Sequence, residues 1–167
     1  MEDRLLKAGE PSRLVCTACG FVFYIDPKLA VIALVPMAGG LVMVRRAINP
    51  GYGLWVLPGG FVDVGEPLEE AAVRETREET FLQVQVLKLL NVYSYKDLRT
   101  VVAAFLTDYE TGELAPGDET LEARVFKPGE IPWEEIPFSS TRDAIREYLE
   151  LIKAGRLPMP PELANGG

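Results

Sequence analysis

The stretch over residues 60–82, GFVDVGEPLEEAAVRETREETFL, constrains what this chain can fold into more than any other. A two-glycine turn, Leu57-Pro58-Gly59-Gly60, leads into it, and Glu66, Arg74, Glu75, Glu78 and Glu79 follow at fixed offsets. Residues 67–80 read as a helix. Pro67 suits a first turn, where its missing N–H costs nothing, and Glu69 and Glu70 favour the positive end of the helix dipole. At about 100° per residue, Glu75, Glu78 and Glu79 share one sector, which Leu68, Ala71 and Ala72 occupy one or two turns earlier. The helix therefore buries its first half, and its apolar stripe then gives way to three carboxylates. Like charges three and four residues apart destabilise a helix slightly, so aligning them is sensible when divalent cations neutralise them. A solvated Glu/Arg face is the usual meaning of such a run. The strand-like lead-in, the glycine turn and the offset to Glu66 argue against it here.

This stretch resembles the Nudix box, G-x5-E-x7-R-E-U-x-E-E-x-G-U with U apolar, and departs from it twice. Thr76 stands where an aliphatic residue is usual, a mild change. Phe81 stands where the second glycine belongs. A glycine just past a helix takes a left-handed conformation, which costs an L-residue about 1–2 kcal/mol. Either Phe81 is strained or the helix exits differently; the carboxylate face is not directly touched.

At 167 residues and 48% hydrophobic, the chain can build one good core with a small appendage. A net charge of −8 argues against a nucleic-acid backbone as an unaided partner. A phosphorylated small molecule bridged by metal ions remains compatible with it. No apolar run reaches the ~18 residues of a membrane-spanning helix. The opening residues lack the apolar centre of a signal peptide, and the expected location is cytoplasmic. The chain has no histidine, so a general base must be a carboxylate, lysine, tyrosine or cysteine.

Cys16-Thr17-Ala18-Cys19-Gly20 reads as a cysteine knuckle, with a short strand at residues 21–24. Structural zinc needs four ligands, and these two cysteines are the chain's full complement. Nudix proteins often carry an N-terminal zinc ribbon, and CTACGFVFYIDPKLAV resembles its second half. Three zinc readings stay open: a degenerate ribbon without metal, which is favoured, a site completed by Asp or Glu, and a four-cysteine site shared by two chains. A redox C-x-x-C usually opens a helix after a strand, unlike this one.

Further along, residues 29–35 form a continuous apolar run, as in a buried strand. A turn at 37–40 and a strand at 41–46 complete an expected hairpin. A loop at 49–53 and a short strand at 54–57 deliver the chain to Gly59-Gly60. After the box, strands are expected at 82–95, 100–106 and 122–127. A helix follows over about 141–154, capped by Ser139 or Ser140, and Gly155 ends it. The division is a ribbon-like segment (1–27), a main domain (28–155) and a tail (156–167). The order fits an α/β fold with a mixed sheet between helices, and the resemblance implies the Nudix α/β/α sandwich.

Oxygen-only carboxylates suit Mg²⁺ or Mn²⁺, which neutralise phosphate oxygens and lower the pKa of bound water. The resemblance implies Glu78 and Glu79 as principal ligands, Glu75 as a ligand or water-activating group, and the Gly60 carbonyl completing the shell. It also implies that Arg74 orients a box glutamate, Glu66 above all. Glu119 is the candidate extra carboxylate, as ligand or base; an ordinary acidic loop is the competing reading. Arg45, Arg46, Tyr95 and Arg99 are candidate substrate contacts, with Tyr93, Tyr52 and Trp133 behind them, whereas Trp55 is expected in the core. The expected activity is metal-dependent cleavage of the diphosphate in a nucleoside diphosphate linked to another group. ADP-ribose is favoured because ribbon-bearing relatives often act there. The NADH submotif SQPWPFP is absent, and Asn91-Val92-Tyr93-Ser94-Tyr95 stands instead, which lowers NADH and leaves ADP-ribose or a nucleoside triphosphate. Expected partners are a small nucleotide and, by resemblance, a second copy in a homodimer, with no nucleic acid and no membrane. The rival classes are a non-catalytic nucleotide sensor and a zinc-ribbon adaptor.

Overall fold

The computed structural model describes residues 1–157. The apolar run after Asp26-Pro27 forms β4 (Lys28–Leu34), buried through its second half. It lies inside a mixed four-stranded sheet, antiparallel to β8 (Gly59–Phe61) and parallel to β10 (Thr100–Thr111). β10 pairs antiparallel with β9 (Gln83–Tyr93) at the edge. In a second sheet, β6 (Gly40–Arg46) pairs with β11 (Thr120–Phe126), β5 (Pro36–Met37) and β7 (Trp55–Val56). The helices are α1 (Leu68–Thr80) and α2 (Ser139–Lys153).

Alternation along the strands assigns each helix a face of the mixed sheet. Ala71 and Ala72 of α1 pack on Val31, Ala103 and Phe105. Ala144, Ile145 and Tyr148 of α2 join Ile32, Leu34, Val102 and Ala104, the intervening residues of the same strands. Two alanines at the α1 contact let that helix approach closely. Trp55 stands edge-on to Phe126 at 4.8 Å, in the core as expected. The fold is mixed α/β, with helices on both faces of a mixed sheet.

The expected hairpin between residues 29–35 and 41–46 forms only at its turn end, where Val42 N–H donates to the Val35 carbonyl at 3.0 Å and β5 pairs with Leu41 and Gly40. β4 uses one edge for β8 and the other for β10, leaving none for β6. The turn at Ala38 and Gly39, both at positive φ, therefore closes only the short β5–β6 pair. Pro67 sits one residue before α1, in extended conformation, rather than in its first turn. α2 begins at Ser139, with extended Phe138 before it and no side-chain cap. β10 runs five residues beyond the expected end at 106, and its extension pairs with the start of β9.

The first 27 residues hold a small sheet of β1 (Glu2–Arg4), β2 (Arg13–Val15) and β3 (Val22–Phe23). β1 escapes sequence reading because its three residues are all exposed and carry no apolar alternation. The knuckle forms: Cys16 N–H donates to the Phe21 carbonyl (2.8 Å) and Gly20 N–H to the Cys16 carbonyl (2.9 Å). Backbone N–H groups of Cys19 and Ala18 aimed at the Cys16 sulfur lower its thiol pKa. Both cysteines are free thiols. Most of the expected tail, residues 158–167, lies outside the described residues. Among the described residues, no helix is long and apolar enough to cross a membrane.

Candidate active site

α1 carries the box carboxylates because its first half is anchored by small apolar residues while its second half meets backbone turns. Thr76 is fully buried, and its hydroxyl donates to the Ala72 carbonyl at 2.7 Å. A threonine is therefore accommodated where an aliphatic residue is usual: its one donor is satisfied inside the helix. Phe81 exits the helix left-handed, at φ 59°, with its ring 55% exposed. Strain, not a different exit, is the outcome of the missing glycine.

Arg74 is the organiser of the site. Its Nε and Nη2 reach the two oxygens of Glu66 at 2.7 and 2.9 Å, and Nη1 donates to Glu75 at 2.8 Å and Glu78 at 3.3 Å. A further Nη2 contact at 3.2 Å goes to the Phe61 carbonyl, just past the glycine turn. Only a planar guanidinium can serve these partners together. The hydrogen bond from Arg74, with the Asp63 N–H second, holds the Glu66 carboxyl down to about 2. Glu66 raises Arg74 in turn, so the guanidinium stays charged.

Glu79 is 8% exposed and accepts the Gly59 N–H at 2.9 Å. Burial pushes its carboxyl up to about 7; the Gly59 bond opposes the shift and the neighbouring Glu75 adds to it. Glu75 is also raised, by burial first, with Arg74 pulling the other way. A Cβ on Gly60 would fall onto the Glu75 carboxylate, 2.5 Å from its Cδ, so that carboxylate rests directly on the glycine backbone. Glu78 is the exposed member of the three.

The tertiary structure adds two groups from elsewhere. The loop that carries Glu119 lies on the last turn of α1, where Gly117 N–H donates to the Glu79 carbonyl at 3.1 Å, and the charge of Glu119 helps to raise Glu75 and Glu79. Arg46 is the cation that favours ionised Glu79. Its Nε is tied to the Pro50 carbonyl at 2.8 Å, and its guanidinium lies 5.4 Å from the Phe138 ring centre.

The other candidates are engaged elsewhere. Arg45 Nε donates to the Gly53 carbonyl at 2.7 Å, which fixes the 49–53 loop. Tyr95 and Tyr93 donate to Asp143 and Glu147 of α2, each at 2.7 Å, and burial with these carboxylates raises both phenols. Arg99 lies in the β9–β10 connection, where its carbonyl accepts the Lys28 N–H at 2.8 Å. Tyr52 is exposed, and Trp133 is half-buried with the Arg146 guanidinium 5.5 Å from its ring centre. Sequence reading missed Phe138 and Gly117. Gly117 had a signal, lying two residues before Glu119 in Pro-Gly-Asp-Glu.

Among the described residues, no three Cys, Asp or Glu side chains are already gathered closely enough to hold an ion. Arg74 holds Glu75 and Glu78 on its own guanidinium instead. The donor chemistry nevertheless fits a hard divalent cation: oxygen donors only, with the Glu79 charge buried and served by a single backbone N–H.

Comparison with known proteins gives a consistent picture. The NUDIX domain model matches residues 26–148. The chain is 39% identical over 130 residues to the ADP-ribose pyrophosphatase of Methanocaldococcus jannaschii, covering 75% of each chain. It is 30% identical over 148 residues to the NAD-capped RNA hydrolase NudC of Photobacterium profundum. That match covers 88% of this chain but only 55% of the relative, so the chain spans about half of that protein's length. Among solved structures, a NUDIX hydrolase from Nitrosomonas europaea superposes with a TM-score of 0.86 at 32% identity, covering 92% of this chain and 88% of that one. A domain match over most of the chain, on a fold that superposes this well, leaves one assignment: the chain belongs to the Nudix family.

Proposed function

We propose that the chain is a Nudix pyrophosphohydrolase that cleaves the diphosphate of a nucleoside diphosphate linked to a second group, with ADP-ribose-like substrates favoured. The observation that carries this reading is the placement of Glu75 and Glu79 against the Gly59-Gly60 turn, with Arg74 joining Glu66, Glu75 and Glu78 and the loop of Glu119 lying on the last turn of α1. The activity named for the Methanocaldococcus relative supports the substrate class.

Glu75, Glu78, Glu79 and the Gly60 carbonyl would hold Mg²⁺ or Mn²⁺. Bound there, the ion supplies charge neutralisation for the diphosphate and acidifies a water molecule. Arg74 holds Glu75 beside Gly60 and keeps Glu66 ionised, and a bound ion would draw Glu75 and Glu78 away from its guanidinium. Arg46, anchored at Pro50 and Phe138, leaves its two terminal nitrogens to meet a phosphate oxygen. Glu119 serves as a further ligand or as the base that takes the attacking water's proton, since the chain has no histidine for that role. The magnesium or manganese preference is carried over from the oxygen-only donor set and the homodimer from the family resemblance; cytoplasmic residence is part of the proposal. Residues 1–27 are read as a degenerate ribbon without its own zinc at Cys16 and Cys19.

The test is product release from ADP-ribose, NADH, dinucleoside polyphosphates, sugar nucleotides, (d)NTPs and NAD-capped RNA, with Mg²⁺, with Mn²⁺ and with chelator. Capped RNA belongs in the panel because the NudC relatives are named for it. Metal-dependent cleavage of ADP-ribose, abolished in a folded Glu78→Gln variant, is the expected result. Silence of the folded wild type across the panel would move the assignment to a nucleotide sensor.

A further inference from the structure

The loop between β10 and β11 touches α1 in a way that the box does not require. Ala115 N–H donates to the Thr80 carbonyl at 3.2 Å and Gly117 N–H to the Glu79 carbonyl at 3.1 Å. These are last-turn carbonyls with no partner inside the helix. The loop thus caps α1 from outside, at the end where Phe81 replaces the usual glycine. Such contact demands that the loop backbone lie directly on the helix backbone. A Cβ on Gly117 would overlap the Glu78 carbonyl oxygen, standing 2.9 Å from its carbon and 3.2 Å from the Glu79 Cα. Gly117 does not have a positive φ, so the constraint is space and not backbone conformation. Gly112, at the start of the loop, backs in the same way onto Phe81 and Leu82, 3.0 Å from the Leu82 Cα. The far side is tied to β6: Ala47 N–H donates to the Glu119 carbonyl at 2.9 Å, and Thr120 N–H closes a turn on the Gly117 carbonyl at 3.0 Å. Glu119 is thereby suspended between α1 and the end of β6.

We infer that Gly117 is a positioning residue: its missing side chain lets the 112–119 loop seat on the last turn of α1 and carry Glu119 to Glu75 and Glu79. This rests on the reading above, because it assigns Glu119 a place in that site. The bonds from Ala115 and Gly117 to the Thr80 and Glu79 carbonyls, and from Ala47 to the Glu119 carbonyl, support the placement. Glu119 itself is exposed and makes no side-chain hydrogen bond among the described residues, so its backbone holds it in place. A side chain at 117 lifts the loop, uncaps the Glu79 carbonyl and withdraws the Glu119 carboxylate without replacing any box side chain.

The experiment compares Gly117→Ala, Glu119→Gln and the double variant for kcat, KM and Mn²⁺ affinity by calorimetry. Gly117→Ala is expected to lower kcat by about 10–100-fold, as much as Glu119→Gln, because a displacement of about 1 Å costs on that order. KM should change little, and the double variant should be no slower than either single one, since both remove the same contribution. Purely structural damage would instead multiply with the Glu119→Gln loss, and that result overturns the inference. So does a Gly117→Ala enzyme of wild-type kcat beside an impaired Glu119→Gln enzyme. Should Gly117→Ala fail to fold, Ala47→Pro removes the other anchor, the N–H to the Glu119 carbonyl, without approaching α1; the same non-additivity with Glu119→Gln is then required. A wild type silent on every substrate defeats the hydrolase reading instead. Equal weakening of Mn²⁺ binding in the two single variants then still supports the positioning role, and unequal effects refute it.

Discussion

Replacing Glu79 by glutamine tests the electrostatics of the site directly. The Glu79 carboxyl stands at about 7 in the folded chain against 4.5 for an unburied glutamate, chiefly through burial. Between those values the native state binds more protons than the unfolded one, so metal-free stability falls as pH rises from 4.5 to 7. The difference of about 2.5 units corresponds to about 3.4 kcal/mol at 1.36 kcal/mol per unit, an upper figure for one buried carboxylate. Glu75 is raised as well and acts in the same direction. Glu66 acts oppositely, but its contribution is lost only as pH falls from 4.5 towards 2, below this window. Glutamine keeps an acceptor for the Gly59 N–H and removes the charge. In chelator, Glu79→Gln should therefore be more stable than wild type at pH 8, by up to about 3 kcal/mol or roughly 5–10 °C in Tm, and should match it near pH 5. Mg²⁺ should raise the wild-type Tm at pH 8 much more than that of the variant, while activity disappears. Thermal denaturation monitored by circular dichroism at both pH values, with and without Mg²⁺, reads all of this. A chelated wild type equally stable at pH 5 and pH 8, with a variant no more stable than it, would refute the reasoning.

Phe81→Gly should stabilise the chain by about 0.5–1 kcal/mol in urea unfolding, since relief of the left-handed φ exceeds the added chain entropy, and should leave kcat unchanged. Arg74→Lys should lower kcat at least about tenfold and raise the Mg²⁺ concentration needed for half-maximal rate, because an ammonium cannot bridge Glu66, Glu75 and Glu78 together. Unchanged Mg²⁺ dependence would remove Arg74 from its organising role. Tyr148 is 2% exposed and its hydroxyl has no hydrogen-bond partner among the described residues, so Tyr148→Phe should be neutral or stabilising by about 1 kcal/mol. A loss of stability in urea unfolding would show that the hydroxyl is satisfied after all.

The carboxylate helix was legible because its information is local. The offsets from Gly60 to Glu79 lie within about six turns of chain, and periodicity alone aligns Glu75, Glu78 and Glu79. The Arg74–Glu66 pairing came from the family resemblance and not from periodicity, and the structure forms it. The question at Phe81 was readable from a single residue, but only the structure chose the left-handed exit over a different one. The β4–β6 hairpin failed as a reading because adjacent apolar runs joined by a turn look alike whether or not they share a sheet. What decided the matter was the claim on β4 by β8 and β10, whose paired residues lie 27 to 72 positions away.

The amino-acid sequence by itself determined the family, the box helix with its oxygen-only donor set, and the exclusion of histidine chemistry, since composition and short-range periodicity are properties of the chain before it folds. Tertiary structure alone decided which distant charges reach that helix. Arg46 faces Glu79 whereas its neighbour Arg45 is spent on Gly53, because adjacent strand residues point to opposite faces. Tyr93 and Tyr95 are taken by α2, a pairing across about 50 residues that no pattern in either segment announces. Glu119 arrives only because Gly117 lets two backbones touch. Such contacts depend on the space left between elements after packing, and that space exists only in the folded chain.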